Sequence, residues 1–479
     1  MSALISGGLH PEGEEFFEFP TYAGKVTISP TNDLMTPYGG LVPFAAFLRH
    51  TGLIERLAKS CPVERTSPNA APIRDILISF VLTALCEGKR FSHVERFRED
   101  PTMGTLFGIE SVVGDDTIRR LFLQMDPTAS RSWVEQAITP LWRALPERLI
   151  LDWDSTVLTR YGHQQGAEIG YNPNKRGRRS HHPLLAVAAG TRLCVSYRLR
   201  AGNTVSASEW EQSMNQVLES LQARPIWLNR GDIGFGQESI LAWHEQATPR
   251  PRYLFKLKFT KGLRAALSRI KDEAWQGPAQ HGVLQVAEAE VQLQGWTTRR
   301  RVVFGRRLLG DLPKEKSGSF WDQTKHEFEA YVTNLDPEEA NAWQVVDLYR
   351  KRADAENVFD EIKNQWGFSG FCSRHQQVTD LAARLLLLTY NLWNLFLRLM
   401  RPEKHLEAIT GRKWFLLIAA RLTKSSRQRE MHLAVGGTWW SELKDGYQRI
   451  CQWILSTAPQ LKVPEQKIAD FSFLVPKTT

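Results

Sequence analysis

RLILDWD, Arg148 to Asp154, is the stretch at which the chain changes its grammar. Ahead of it, from Leu41 to about Leu145, apolar residues recur at helical spacing, as at Phe44, Phe47, Leu48, Leu53, Ile54 and Leu57. LILDWD instead has the length and composition of a strand, and it ends on an acid. PLLAVAAG and RLCVSYRLR read as two more strands with a Gly-Thr turn between them. SEWEQSMNQVLESLQA reads as a helix, PIWLNRGD as a strand ending at Asp232, QESILAWHEQ as a helix and RYLFKLKF as a strand. Three strands, helix, strand, helix, strand predicts an α/β domain built on a mixed sheet flanked by helices, over residues 146–260.

Beyond it, GVLQVAEAEVQLQGWTTRRRVVFGRRLL alternates apolar and polar residues and predicts a hairpin or small sheet; FEAYVTNL adds a strand. Residues 261–335 are thus expected to be a β-rich insertion. Asp336-Pro337 then predicts the cap of a helical region over 336–400. Its most apolar part, Leu381 to Met400, contains Arg384, Asn391, Asn394 and Arg398, which suits a buried amphipathic helix and not a membrane span. Residues 401–479 read as helical, from WFLLIAARL and YQRICQWILS. Residues 1–40, rich in Gly, Pro and acid, read as an irregular arm. Residues 41–145 form a helical module of a kind that can dock DNA, where Asp116-Thr117 reads as the cap of a helix bearing Arg119 and Arg120. Those arginines are phosphate contacts or a solvated face.

Bulk properties narrow the function. The 479 residues carry a net charge of +9 and a pI near 9.3, which favours a polyanionic partner. Five cysteines, Cys61, Cys86, Cys194, Cys372 and Cys451, form no CxxC pair, against a disulfide framework or structural zinc. The start lacks a basic and an apolar signal region, so the expected location is cytoplasmic. No P-loop, GxSxG, HExxH or dinucleotide fingerprint occurs.

The chemistry concentrates in YRKRADAENVFDEIKNQW, Tyr349 to Trp366. Tyr349, Arg352, Glu356 and Lys363 are spaced so that, on one helix, their side chains fall within roughly 60° of one another. One carboxylate among two cations and a phenol suits a site holding a metal and a phosphate together. With Asp154 and Asp232 at strand ends, three acids can hold two divalent cations and cut a phosphodiester. Asp152 shares a strand face with Asp154 and competes for that role. Asp354, Asp360 and Glu361 compete with Glu356, and the plain alternative is a salt-bridged helix with an Arg352–Glu356 pair. Lys175, Arg176, Arg178 and Arg179, in a loop between core strands, read as a DNA grip or a solvated charge run. Arg299, Arg300 and Arg301, with Arg306 and Arg307, form a second basic cluster. Trp296 beside it, with Trp275 and Trp321 as rivals, stacks on a base or belongs to the core. His163 hydrogen-bonds substrate or is structural.

Tyr-x2-Arg-x3-Glu-x6-Lys resembles the YREK signature of the DDE transposases of bacterial insertion sequences, and the resemblance covers roughly residues 41–400. The DxDST start at Asp152, the GYN and HPLL segments and RGDIGF are most similar to the insertion-sequence group numbered thirteen-eighty. NRGD departs from the RADSG-like form of that group. The resemblance implies an RNase H-like core interrupted by a β-rich insertion. Asp154, matching an Asp-x-Thr start, with Asp232 and Glu356, is implied to be catalytic and to bind two Mg²⁺ ions, for which Mn²⁺ substitutes. Tyr349, Arg352 and Lys363 are implied to contact DNA near the cleavage point. The implied activity is cut-and-paste transposition on the element's terminal inverted repeats and a target DNA, by a homodimer assembled on DNA, with hairpin ends as one route. A structure-selective RNase H-like nuclease, or a DNA-binding protein derived from a transposase without catalysis, are the alternatives.

Overall fold

A computed structural model of the chain describes residues 6–9, 15–222, 224–246, 251–280, 282–309, 326–425 and 428–456. Its centre is an eight-stranded mixed sheet. In chain order the strands are β1 (Leu149–Ser155), β2 (Leu184–Ala188), β3 (Leu193–Arg198), β4 (Ile226–Gly231), β5 (Arg252–Lys256), β6 (Leu284–Val291), β7 (Arg300–Leu308) and β8 (His326–Thr333). Across the sheet they lie in the order β3-β2-β1-β4-β5-β8-β7-β6. β1, β4 and β5 are parallel neighbours, and every other pairing is antiparallel. Helices α1 (Trp210–Ser220) and α2 (Glu238–Gln246) precede β4 and β5 as crossovers, as the periodicity predicts.

The insertion does not make a sheet of its own. β6 and β7 pair as the expected hairpin, but β8 pairs with both β7 and β5. The hairpin thus lengthens the core sheet, and the backbone groups along the outer edge of β5 are satisfied by β8 instead of being left open.

Strand alternation divides the two faces. Leu149, Leu151 and Trp153 of β1 join the main core, whereas Ile150 joins a second core with Leu228, Leu254, Val303, Tyr331 and Leu348. That second face is covered by α3 (Ala342–Arg350), followed by α4 (Ala353–Gln365). The long helix α5 (Gln376–Met400) is buried almost throughout and packs on β3 and on helices Ile73–Leu85, Asp115–Gln124 and Pro127–Ile138. Several of its polar residues find partners inside the protein, although Tyr390 OH, Trp393 Nε1 and Asn394 Oδ1 are buried without one among the described residues. The Asn391 amide both donates to and accepts from the Cys194 backbone, at 2.8 Å each, and Arg384 pairs with Asp380 at 2.8 Å. No described helix is long and apolar enough to cross a membrane.

Four local expectations are corrected. The first 40 residues are not simply irregular: Ser6–Leu9, Glu15–Thr21 and Gly24–Ile28 form a three-stranded antiparallel sheet. WFLLIAARL is not one helix. Helix Ala408–Phe415 ends within it, and Ala420–Ser425 is a strand between Gln428–Leu433 and Leu34–Thr36, so distant pairing overrides local helical period. α3 begins not at Asp336-Pro337 but at Asn341, in a capping box with Gln344. The helix bearing Arg119 is preceded by Gly114, not capped by Asp116-Thr117.

Candidate active site

The site is built in two layers at the carboxyl ends of β1 and β4. Arg230 lies opposite Asp152 in the parallel register. In the lower layer both side chains are fully buried. Arg230 donates from Nε to Asp152 Oδ1 at 2.6 Å and from Nη2 to Oδ2 at 2.7 Å, and its Nη1 donates to the carbonyl of Leu348 on α3. This bidentate pair braces α3 against the two strands. It engages both carboxylate oxygens of Asp152 away from solvent, which separates Asp152 from Asp154 as a metal candidate.

Two residues further along, Asp154 and Asp232 form the upper layer. The stretch that carries the Tyr, Arg, Glu and Lys is not one continuous helix. α3 ends at Arg350 and α4 begins at Ala353, with Lys351 and Arg352 at ψ −9° and −17° and a hydrogen bond from Arg352 N to Tyr349 O of 2.9 Å. This tightened turn resembles 3₁₀ geometry. It leaves Arg352 between the helices with its side chain directed at the end of β1. The Arg352 guanidinium, 2% exposed, donates to Asp154 Oδ2 at 2.9 Å, to Glu356 Oε1 at 3.0 Å and to the Trp153 carbonyl at 3.0 Å. The Asp154 side chain is 21% exposed and that of Glu356 65%.

Burial pushes the Asp154 carboxyl up to about 6; the charge of Asp232 adds to the rise and Arg352 opposes it. The Tyr349 phenol is raised by burial and by the carboxylates of Asp232, Glu356 and Asp154, against the pull of Arg352. Its ring packs on Tyr331, centroids 4.5 Å apart. Asp232 accepts from Gly234 N at 2.9 Å, and a Cβ at Gly231 would come within 2.7 Å of the Phe235 ring. Lys363 is half-buried on α4 and makes no ion pair with the described residues. The rival acids hold other partners: Asp354 and the buried Glu361 pair with Arg192 at 2.6 and 3.3 Å, and Asp360 accepts from Asn364 at 2.6 Å.

Asp154, Asp232 and Glu356 offer only oxygen ligands, which suits Mg²⁺ or Mn²⁺. In this geometry, however, no group of three His, Cys, Asp or Glu among the described residues is gathered closely enough to hold a metal ion. The Arg352 guanidinium stands between Asp154 and Glu356 instead.

The two basic clusters differ. Lys175, Arg176, Arg178 and Arg179 are exposed; the first three lie in the turn that leads into Arg179–His181, the middle strand of a small sheet with Leu158–Thr159 and Glu168–Ile169. Arg300 and Arg301 are buried, which corrects their reading as DNA contacts. Arg300 pairs with Glu238 at 2.6 Å and Glu245 at 2.7 Å. Arg301 pairs with Glu288 at 2.6 Å and donates to the Leu335 and Ala340 carbonyls. Of the three, Arg299 is exposed. Trp296 lies buried beneath Arg300, and Trp275 beneath Arg306, at 5.2 and 4.3 Å from ring centroid to guanidinium carbon. Trp321 lies outside the described residues. His163 is exposed. Arg119 is tied to Asp115 at 3.1 Å and to Asp116, while Arg120 is exposed.

The sequence reading overlooked Arg230, whose position two residues before Asp232 mirrors that of Asp152 before Asp154. That Asp-x-Asp beside Arg-x-Asp pattern was the available signal.

No curated protein matches the chain. Among solved structures, one similar to it is the cryo-EM structure of a piggyBac transposase synaptic complex with hairpin DNA, at 13% identity and a TM-score of 0.40, covering 94% of this chain and 90% of that one. Residues 20–454 match the family described as transposase DDE domain group 1, and the chain belongs to that family.

Proposed function

We propose that this chain is a cut-and-paste DNA transposase of the insertion-sequence group numbered thirteen-eighty, which binds the ends of its own element and catalyses strand cleavage and strand transfer. One observation carries the reading. Asp154 and Glu356, far apart in sequence, converge on one buried guanidinium, with Asp232 near enough to raise the Asp154 carboxyl. A perturbed acid such as Asp154, set beside other charged groups, is a mark of functional sites.

In this reading Asp154, Asp232 and Glu356 would hold two Mg²⁺ ions, which would supply activation of the attacking oxygen and charge stabilisation of the leaving one. The family implies divalent-metal catalysis in general. Arg352 offers a planar fork that a phosphate accepts bidentately. Tyr349, kept protonated by burial, donates a hydrogen bond to the DNA backbone, and Lys363 adds a point charge. Lys175, Arg176, Arg178 and Arg179 attract the flanking duplex. Residues 41–145 contact DNA, and 146–260 with 336–400 make the catalytic core. Two element ends call for a homodimer assembled on DNA.

The test is cleavage of a terminal-repeat duplex in Mg²⁺, followed by joining of a pre-cleaved end to target DNA. Asp154→Ala is expected to keep end binding and lose both reactions. Unchanged cleavage by that variant refutes the assignment of Asp154; wild-type cleavage without joining makes the chain a nuclease.

A further inference from the structure

The small sheet that follows β1 carries two tyrosines among its cations. Tyr161 is 73% exposed and Tyr171 74%. A single exposed aromatic residue needs no explanation. These two are placed by the sheet. Leu158–Thr159 and Glu168–Ile169 both pair antiparallel to Arg179–His181, so they run in the same direction on either side of it. Tyr161 and Tyr171 each lie two residues past the end of their strand. Both phenols therefore emerge at the end where the turn Lys175–Arg178 lies. The Arg178 guanidinium carbon stands 5.8 Å from the centroid of the Tyr161 ring.

The support is rigid. Asn172, buried, donates to Thr159 Oγ1 and accepts from Lys175 N, both at 3.0 Å, and so ties the turn to the neighbouring strand. Arg160, also buried, donates to His181 Nδ1 at 3.0 Å and to the Ser369 carbonyl at 2.6 Å, and Gln165 N donates to the Arg374 carbonyl at 2.9 Å. The small sheet is thus fixed both to the end of β1 that bears Asp154 and to the segment joining α4 to α5. Trp296 and Trp275, the tryptophans expected to stack on a base, lie buried under arginines. Other exposed aromatics among the described residues, such as Trp343, Trp414 and Trp440, lie on helices outside this small sheet.

We propose that Tyr161 and Tyr171 form a stacking platform for unpaired bases of the DNA strand lying beside the acids, with the Lys175–Arg178 turn holding its phosphates. Aromatic faces accept any base, and an adjacent basic turn tracks the backbone. This deepens the DNA-cleaving reading and rests on it for the identity of the ligand, but its readout is binding and not cleavage.

The test uses the full chain in Ca²⁺ and two fluorescent DNAs: a blunt duplex, and the same duplex with a six-nucleotide single-stranded extension carrying 2-aminopurine. The double variant Tyr161→Ala/Tyr171→Ala is expected to weaken binding of the extended DNA by about five- to one-hundred-fold. Blunt-duplex affinity should change less than twofold, and quenching of 2-aminopurine should be lost. Tyr161→Phe/Tyr171→Phe should restore both, since stacking needs no hydroxyl. Equal weakening for both DNAs, or unchanged affinity and quenching in the alanine variant, overturns the platform. A chain that shows the platform yet cuts no DNA refutes the transposase reading and leaves this one standing.

Discussion

Two aspartate–arginine pairs lie one strand repeat apart, and they differ in the exposure of the acid and in how the guanidinium is shared. Asp152 and Arg230 are sealed between the sheet and α3, and each of their strong contacts stays within the protein. Asp154 and Arg352 sit one step closer to solvent. There Arg352 is shared with Glu356, most of which is exposed, and the Asp154 carboxyl is held above its ordinary range. An aspartate–arginine contact is a buried brace in one layer and part of a partly exposed cluster of acids in the other. A carboxylate whose desolvation is matched by a bidentate guanidinium stays charged and closed to ligands; one that is desolvated beside a second acid, with a single hydrogen bond to its guanidinium, is held above its ordinary range.

Substitutions that separate the layers break this comparison most sharply. Asp154→Asn is expected to lower strand cleavage by about a thousandfold or more, several kcal/mol of transition-state stabilisation, while melting at or above the wild-type temperature at pH 7, because burial disfavours the charged form of that carboxyl and Arg352 keeps Glu356 and the Trp153 carbonyl as partners. Asp152→Asn and Arg230→Ala should do the reverse. Each breaks a buried ion pair by removing one of its charges and should cost about 3–5 kcal/mol in a urea melt, with cleavage falling only as the folded fraction falls. If Arg230→Ala keeps its stability and loses cleavage, the lower layer is functional after all.

A smaller effect comes from acid. His181 is pushed down to about 4 by burial, with Arg160 adding to the shift, and burial also lowers His182. The unfolded chain protonates His181 near 6.5, so between about 6.5 and 4 it binds a proton that the folded chain refuses. Stability is therefore full above 6.5 and falls as pH drops through that window, by about 3 kcal/mol at most for His181. Melting curves from pH 7 to 4 should show this slope, reduced in His181→Gln.

The smallest effect sharpens the upper layer. Arg352→Gln removes the guanidinium between Asp154 and Glu356. Calorimetry without DNA should then show Mn²⁺ binding about tenfold tighter than in wild type, roughly 1.4 kcal/mol. Weaker binding would mean that Arg352 orders the acids for the metal instead of occupying their place.

Which features were legible in the sequence follows from how local their cause is. The strand–helix order from Arg148 to Phe259, and the burial of Leu381–Met400, follow from periodicity and read correctly. The spacing that marks Tyr349, Arg352, Glu356 and Lys363 was visible too, although the chain tightens at Lys351–Arg352 where an unbroken helix was expected. The arginine runs were visible only as runs. Nothing local distinguishes Lys175–Arg179 from Arg299–Arg301. The first faces solvent, whereas Arg300 and Arg301 meet carboxylates from α2 and β6.

By itself, then, the sequence determined the alternation of elements, the basic character and the acids at strand ends, because each is set by residue type and short-range spacing. Tertiary structure alone decided that β8 joins β5, that Ala420–Ser425 is a strand, that Asp152 is a brace, and that Arg352 stands between Asp154 and Glu356. Those outcomes depend on partners distant in the chain, and burial and pairing are properties of an environment that no local pattern encodes.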